Sequence, residues 1–129
     1  MSKEYFTRQR EENRSYSRAV KVKGGTTVYV AGVVSRDAEG KTVIGDFEAQ
    51  ARAAFERLRE NIEIAGGTLQ DIVTMTVYIT DARHGDEFVK IRSEYFKPGH
   101  YPASALITIA ALGHPDLRVE IQAIAVLDN

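Results

Sequence analysis

Apolar and polar residues alternate along several short segments of the chain, and this alternation is typical of strands with one buried face. The clearest case is 71–80, where Val73 and Met75 lie on one side and Thr74, Thr76 and Tyr78 lie on the other. The same period-two pattern, or a run rich in β-branched residues, occurs in four further segments. The five predicted strands are 18–23, 26–34, 71–80, 103–112 and 117–127.

Two segments instead have apolar residues at the spacing of a helix face. The first predicted helix spans 46–65, with Asp46 as its N-cap and a Gly-Gly pair after its last turn. The second spans 81–97 and ends at a Pro-Gly pair, and Gly85 weakens its start, so that Asp86 is an alternative first residue.

The order β-β-α-β-α-β-β predicts an α+β sandwich in which both helices cover one face of the sheet. We expect one domain over 1–129, with 1–14 as a loosely ordered N-terminal arm and a hairpin turn at Gly24-Gly25. The other sheet face carries Thr and Tyr side chains and a few aliphatic ones. A half-apolar face of this kind commonly packs against further copies of the same chain.

Composition narrows the class of protein. Lys plus Arg number 17 and Asp plus Glu number 18, for a formal net charge of -1, which argues against a nucleic-acid partner. The chain has no Cys, and its three His have no metal-ligand spacing, so we expect neither a metal nor an organic cofactor. No apolar run has the length of a membrane span or a signal peptide, and we expect a soluble, cytoplasmic protein without a membrane partner.

The order of elements and several motifs resemble the RidA/YjgF family. The residues that carry the resemblance are the segment ENIEIAGGTLQDIVTMTVYIT at 60–80, the tail YPASALITIAALGHPDLRVEIQAIAV at 101–126, YSRAV at 16–20 and Val-Ala-Gly at 30–32. The resemblance covers about residues 15–127.

The resemblance implies a chorismate-mutase-like fold of the bacillus type. Three subunits would pack their sheets into a central barrel, and a small ligand would bind in a cleft between neighbouring subunits. Well characterised members of the family hydrolyse reactive enamines and imines to 2-keto acids and ammonia, and relatives act on aminoacrylate or aminomuconate. Other members were named endoribonucleases or translation inhibitors.

Two positions depart from the pattern of the family's deaminase site. The family holds the substrate carboxylate with a strand arginine, and the matching residue here is Ser104. The family also has a hydroxyl side chain before the glycine that matches Gly32, and here that residue is Ala31. Thr108 shares a strand face with Ser104, so both are candidates to line the cleft with neutral donors. The departures predict an altered substrate preference.

The remaining candidates match the family's catalytic side chains. Glu120 matches the carboxylate that would orient or deprotonate an attacking water, although a solvated strand glutamate fits the same pattern. Tyr16 matches an aromatic residue of the cleft, and its alternative role is to anchor the N-terminal arm. Arg18 lies two residues further on, on the same side of an extended chain, and is a candidate substitute for the missing carboxylate anchor, although a solvated strand arginine fits the same pattern.

Three functions remain after these observations. The first is a deaminase of a small enamine or imine, with Glu120 positioning water and without a cofactor. The second is a non-catalytic ligand-binding or interaction protein that keeps the trimer and the cleft. The third is an endoribonuclease or translation inhibitor, against which the net charge of -1 argues.

Overall fold

Six strands and three helices form from residues 1–129, all of which are described by the computed structural model. The strands are β1 Ser2–Phe6, β2 Ala19–Lys23, β3 Thr26–Val33, β4 Ile72–Ile79, β5 Ala103–Thr108 and β6 Val119–Leu127. The helices are α1 Gln9–Glu12, α2 Phe47–Ile64 and α3 Gly85–Ser93.

The main sheet has the strand order β3-β6-β4-β5, with β4 and β5 parallel and the other pairs antiparallel. Helices α2 and α3 pack on one of its faces, and the core lies between the layers. The largest buried residues of this core include Phe55, Leu58, Ile62, Phe88 and Ile121. The predicted α+β arrangement, with both long helices on one side, is therefore confirmed.

Helix α2 begins where the sequence predicted. The carboxylate of Asp46 accepts a hydrogen bond of 2.9 Å from the backbone N–H of Ala49, which satisfies one of the free donors of the first turn. The helix ends at Ile64, and Gly66 follows with φ of 91°, a conformation that glycine adopts without strain.

The second predicted helix is shorter than 81–97. Residues Ala82–His84 form a 3₁₀ turn, and α3 runs only from Gly85 to Ser93. The backbone N–H of Glu94 bonds to the carbonyl of Ile91, three residues back, so the last turn tightens and the helix ends before the Pro-Gly pair. The two C-terminal strands are also shorter than predicted, since β5 ends at Thr108 and β6 begins at Val119.

The N-terminus differs from the predicted loosely ordered arm over 1–14. Strand β1 pairs with β2 along its whole length in a separate two-stranded sheet, and α1 follows β1. The sequence KEY at 3–5 places Lys3 and Tyr5 on one side, where they lie half-buried opposite Val22 and Val20. A strand of five residues without an aliphatic run gives a weak sequence pattern. It forms because it pairs with β2, which the sequence of the segment alone does not indicate.

The predicted hairpin between β2 and β3 is wrong, although the turn itself is present. Gly24 and Gly25 have φ of 77° and 84°, and the chain reverses there. The two strands then enter different sheets, because β3 pairs with β6 and β2 pairs with β1. Pairing with β6 buries Val30 opposite Ala123 in the core, which a hairpin with the exposed β2 would not do.

The sheet face away from the helices is uncovered, and it exposes large side chains. Tyr29 is 79% exposed and Ile107 is 41% exposed. Neither of the long helices has the length and hydrophobicity to cross a membrane.

Candidate functional site

Glu120 lies on the uncovered face of the sheet, beside Gly32. It stands opposite Tyr78 in the β4–β6 pair. The pairing of β3 with β6 shifts register between Val30 and Val33, and Gly32 lies in this irregular stretch. A Cβ atom on Gly32 would be 2.5 Å from Oε2 of Glu120, closer than real Cβ contacts allow. The position of the carboxylate therefore depends on the absence of a side chain at residue 32.

An open cavity of about 650 Å³ surrounds this carboxylate. The side chain of Glu120 forms no hydrogen bond and no ion pair within the chain, so its oxygens are free to bind water or a ligand. Three basic side chains share the cavity wall: Arg36, Arg57 and His114. Arg57 is already paired with Glu60, at 3.0 Å. The arrangement offers one free carboxylate in a polar cavity, which suits the orientation of water beside a polar substrate.

The buried amide of Gln50 holds the loop that leads into Glu120. Its Nε2 donates to the carbonyl of Asp116 at 2.9 Å, and its Oε1 accepts from the backbone N–H of Arg118 at 2.8 Å. Gln50 is fully buried on α2, so these bonds fix the start of β6 to the helix layer.

A second cavity, of about 210 Å³, contains Tyr16 and Ser104. Ser104 stands opposite Met75 in the β4–β5 pair, and Met75 is a core residue, so the serine faces the helix layer. The hydroxyl of Ser104 accepts a hydrogen bond of 2.7 Å from Nη1 of Arg92, a buried residue of α3. Arg14 also lines this cavity.

Burial lowers the pKa of the Arg92 guanidinium to about 10, and the nearby charge of Arg14 acts in the same direction. At neutral pH the group remains charged. The second cavity is therefore basic, and it contains no carboxylate side chain.

The predicted site residues thus fall into two groups on opposite sheet faces. Gly32 and Glu120 line the larger cavity, and Tyr16 and Ser104 line the smaller one. A single chain does not bring the two groups together.

Three predicted residues join neither group. Arg18 pairs with the buried carboxylate of Glu11 at 3.3 Å and lines a separate cavity near β1, so it does not lie beside Tyr16. Ala31 and Thr108 are exposed and line neither cavity. The structure brings together no group of three His, Asp or Glu side chains that could hold a metal ion.

The sequence patterns did not reveal Arg92, Arg36 or Arg57 as residues of these cavities. A signal for Arg92 was present, because it follows Phe88 by four residues and Val89 by three, and so lies on the apolar face of its helix. A cation in that position indicates either a buried polar contact or a binding site. For Arg36 and Arg57, no local pattern separates them from solvated surface residues.

Comparisons with known proteins agree with this architecture. The family model described as Endoribonuclease L-PSP matches residues 7–127. A RutC family protein from Pyrococcus abyssi is 35% identical over 111 residues, which cover 85% of this chain and 84% of that protein.

Solved structures give the same result. A Rid-family protein of unknown function from Yersinia pestis, YyfB, superposes with a TM-score of 0.88 at 25% identity, covering 98% of this chain and all of the other. RidA from an Antarctic Psychrobacter species superposes with a TM-score of 0.72 at 34% identity, covering 88% of this chain and 89% of the other. The chain belongs to the RidA/YjgF family, also described as the Endoribonuclease L-PSP family.

Proposed function

We propose that the protein is a hydrolytic deaminase of a small enamine or imine, in which Glu120 positions the attacking water. The observation that carries this proposal is the unpaired carboxylate of Glu120, which lies over Gly32 in a cavity of about 650 Å³. The match of this residue to the family's carboxylate supports the same role.

The reaction follows from this arrangement. An enamine first takes up a proton at carbon and becomes an imine, whose carbon accepts the oxygen of a water molecule held by Glu120. The carboxylate accepts a proton from that water as the C–O bond forms. The carboxylate returns this proton to nitrogen, which gives a carbinolamine. The hydroxyl group of the carbinolamine then passes its own proton to nitrogen as the C–N bond breaks, so that ammonia leaves and a ketone remains. No oxidant, metal or organic cofactor is needed for these steps.

The site also requires a homotrimer, which we propose on the basis of the uncovered sheet face. This face combines the exposed Tyr29 and Ile107 with the half-buried Thr74, Thr76 and Ile124. When three subunits pack these faces together into a central barrel, the exposed side chains of each face become buried. In this arrangement the Glu120 cavity of one subunit opens toward the Tyr16–Ser104 cavity of its neighbour, and the cleft takes residues from both.

A non-catalytic ligand-binding protein is the second candidate, and the serine at position 104 favours it. A hydroxyl supplies neither the charge nor the reach of the strand arginine that holds the substrate in the family's deaminases. The endoribonuclease activity named in the family description ranks below both, because the net charge of -1 gives little attraction to phosphates.

Hydrolysis of an imine generated in the assay separates the first two candidates. A pyridoxal-phosphate enzyme produces 2-aminoacrylate or 2-iminobutanoate, and the decay of the intermediate is followed with and without this protein. The protein should accelerate the decay, and Glu120→Gln should lower its rate by roughly 10²–10⁴-fold, the usual contribution of a general base. Glu63→Gln, an exposed substitution on α2, serves as the matched control. Decay at the spontaneous rate with 2-aminoacrylate, 2-iminobutanoate and aminomuconate would support the binding protein instead.

A further inference from the structure

Arg92 is a buried cation without an anion. Arg92 is only 2% exposed, and it takes part in none of the ion pairs of the chain. Its three hydrogen bonds go to neutral oxygens: Nε to the hydroxyl of Ser15 at 3.1 Å, Nη1 to the hydroxyl of Ser104 at 2.7 Å and Nη2 to the carbonyl of Arg14 at 3.1 Å. Buried charges in folded proteins are ordinarily paired, because desolvation without a counter-charge is expensive.

The guanidinium also keeps free hydrogen-bonding capacity. A guanidinium has five N–H groups, and the three bonds leave one N–H on each terminal nitrogen. Two donors on neighbouring nitrogens match the two oxygens of a carboxylate. The centroid of the Phe88 ring lies 5.2 Å from Cζ of Arg92, so the ring packs against the guanidinium from the core side.

The surroundings of Arg92 add positive charge and no negative charge. Arg14 lines the same cavity, and its partner Asp86 is an exposed carboxylate bound on the solvent side through Nη1 at 2.8 Å. The remaining walls are Tyr16, Val89 and Leu106. A pocket with two cations, a phenol and two aliphatic walls is the setting in which a small organic anion replaces the missing counter-charge.

The size of this cavity limits the ligand. Its volume is about 210 Å³. At ~30 Å³ for each water-sized group, this leaves room for roughly seven heavy atoms. A three- or four-carbon acid fits that space.

We propose that this cavity is a carboxylate-binding subsite in which Arg92 of α3, assisted by Arg14 and Ser104, holds the acid group of a small imino or keto acid. The short side chain at position 104 is what allows Arg92 to reach the cavity from the helix layer. The cationic anchor comes from α3 in this chain, and the serine is part of the site as a hydrogen-bonding relay. The identity of the ligand as an imino acid rests on the proposed deaminase function, whereas the anion subsite does not.

Direct binding of an unreactive acid tests the subsite without hydrolysis. We expect calorimetric titration to show that the wild-type protein binds 2-oxobutanoate at least tenfold more tightly than its neutral amide. Arg92→Gln should remove this preference, and Arg52→Gln, which loses only the surface pairs with Glu48 and Glu94, should keep it. Equal binding of acid and amide by the wild type, or an unchanged preference in Arg92→Gln, would overturn the proposal.

Because Arg92 also ties α3 to the N-terminal segment, a second variant separates binding from folding. Ser104→Asp places a carboxylate where the serine hydroxyl meets Nη1 of Arg92. We expect a higher melting temperature, since the buried cation gains a counter-charge, together with loss of 2-oxobutanoate binding. A lower melting temperature with binding retained contradicts the subsite.

The two proposals fail separately. Glu120→Gln should lower the rate of hydrolysis by roughly 10²–10⁴-fold. It should still bind 2-oxobutanoate more tightly than the neutral amide, because that preference depends on the guanidinium of Arg92. An inactive wild type that binds the acid through Arg92 would reject the deaminase and keep the subsite. A wild-type protein that hydrolyses the imine, with an Arg92→Gln variant that keeps its preference for the acid, would support the deaminase and contradict the subsite.

Discussion

The carboxylate of Glu120 occupies the space that a side chain at Gly32 would need. Oε2 lies 2.5 Å from the position of a Cβ atom there, and the carboxyl carbon lies 3.1 Å from it. Gly32 itself does not have a positive φ, so backbone conformation is not the reason for glycine at this position. The glycine is required by the close approach of the carboxylate from the neighbouring strand.

Replacement of Gly32 by alanine should therefore reduce hydrolysis more than stability. The new methyl group pushes the Glu120 side chain away from its present rotamer, and a small displacement of a group that positions water is sufficient to lower the rate. We expect kcat/KM to fall at least tenfold, with the melting temperature changed by only a few degrees. Turnover of 2-iminobutanoate and thermal unfolding by circular dichroism measure the two effects.

The matched control is Gly45→Ala, where a Cβ atom makes only an ordinary contact of 3.5 Å with Ala49. This variant should keep wild-type kinetics. If Gly32→Ala also keeps them, the rotamer of Glu120 in this structure is not the one that matters for the reaction.

Tyr29→Lys should disrupt the proposed trimer. Tyr29 is a large aromatic side chain of the edge strand β3, 79% exposed on the uncovered face, beside Ile124 on the neighbouring strand. A lysine in a packed interface leaves a buried charge without a partner. We expect light scattering to give three times the chain mass of 14.3 kDa for the wild type and a smaller mass for the variant.

Ile64→Lys provides the comparison for this substitution. Ile64 is 86% exposed, but it lies at the end of α2, on the helix layer rather than on the uncovered face. Its replacement should leave the mass unchanged. A wild-type protein that remains monomeric at micromolar concentration would contradict the two-subunit cleft, even if it binds a ligand.

Alternation and helical spacing were sufficient to predict most elements of the fold. The period-two pattern of 71–80 predicted β4, and the capping carboxylate of Asp46 predicted the start of α2. Both signals are local, because each depends on residues that are close together in the sequence. The pairing of β1 with β2 is not local in this sense, since an exposed strand of mixed composition is stabilised only by its partner.

The candidate site was less predictable, because it depends on the register between strands. The sequence placed Glu120 on a polar strand face and Ser104 with Thr108 on one face, but it does not say which face the helices cover. The pairs Ser104–Met75 and Glu120–Tyr78 decide that question, and they put the two residues on opposite sides. A shift of one residue in either pair would have reversed the answer.

Gln50→Leu tests whether the loop before β6 is held by the helix layer. Leucine has a similar volume, but it leaves the carbonyl of Asp116 and the N–H of Arg118 without the partners that Gln50 supplies. Leaving these partly buried polar groups unpaired should lower the free energy of unfolding by about 1 kcal/mol. Urea denaturation measures this loss.

The control for this substitution is Gln70→Leu, an exposed position whose side chain makes one surface bond to the carbonyl of Tyr95. It should change the free energy of unfolding by less than ~0.5 kcal/mol. Equal effects at the two positions would show that the bonds of Gln50 do not contribute to stability.

Ser104→Arg should be harmful alone and tolerated together with Arg92→Gln. The new guanidinium would enter a cavity that already contains the charges of Arg92 and Arg14, with Arg92 only 2.7 Å from the serine hydroxyl. A further buried cation without a counter-charge should lower the free energy of unfolding by about 3 kcal/mol. In the double variant the strand arginine replaces the charge that the helix loses, so most of this loss should be recovered.

A double-mutant cycle measured by urea denaturation gives the coupling between the two positions, which should exceed ~1 kcal/mol because the side chains are in direct contact. Thr108→Arg is the control, since it adds the same group to the exposed end of the same strand. The double variant should also recover affinity for 2-oxobutanoate, because one arginine again faces the cavity. Additive effects on stability, with no recovery of binding, would mean that positions 92 and 104 do not share one anion site.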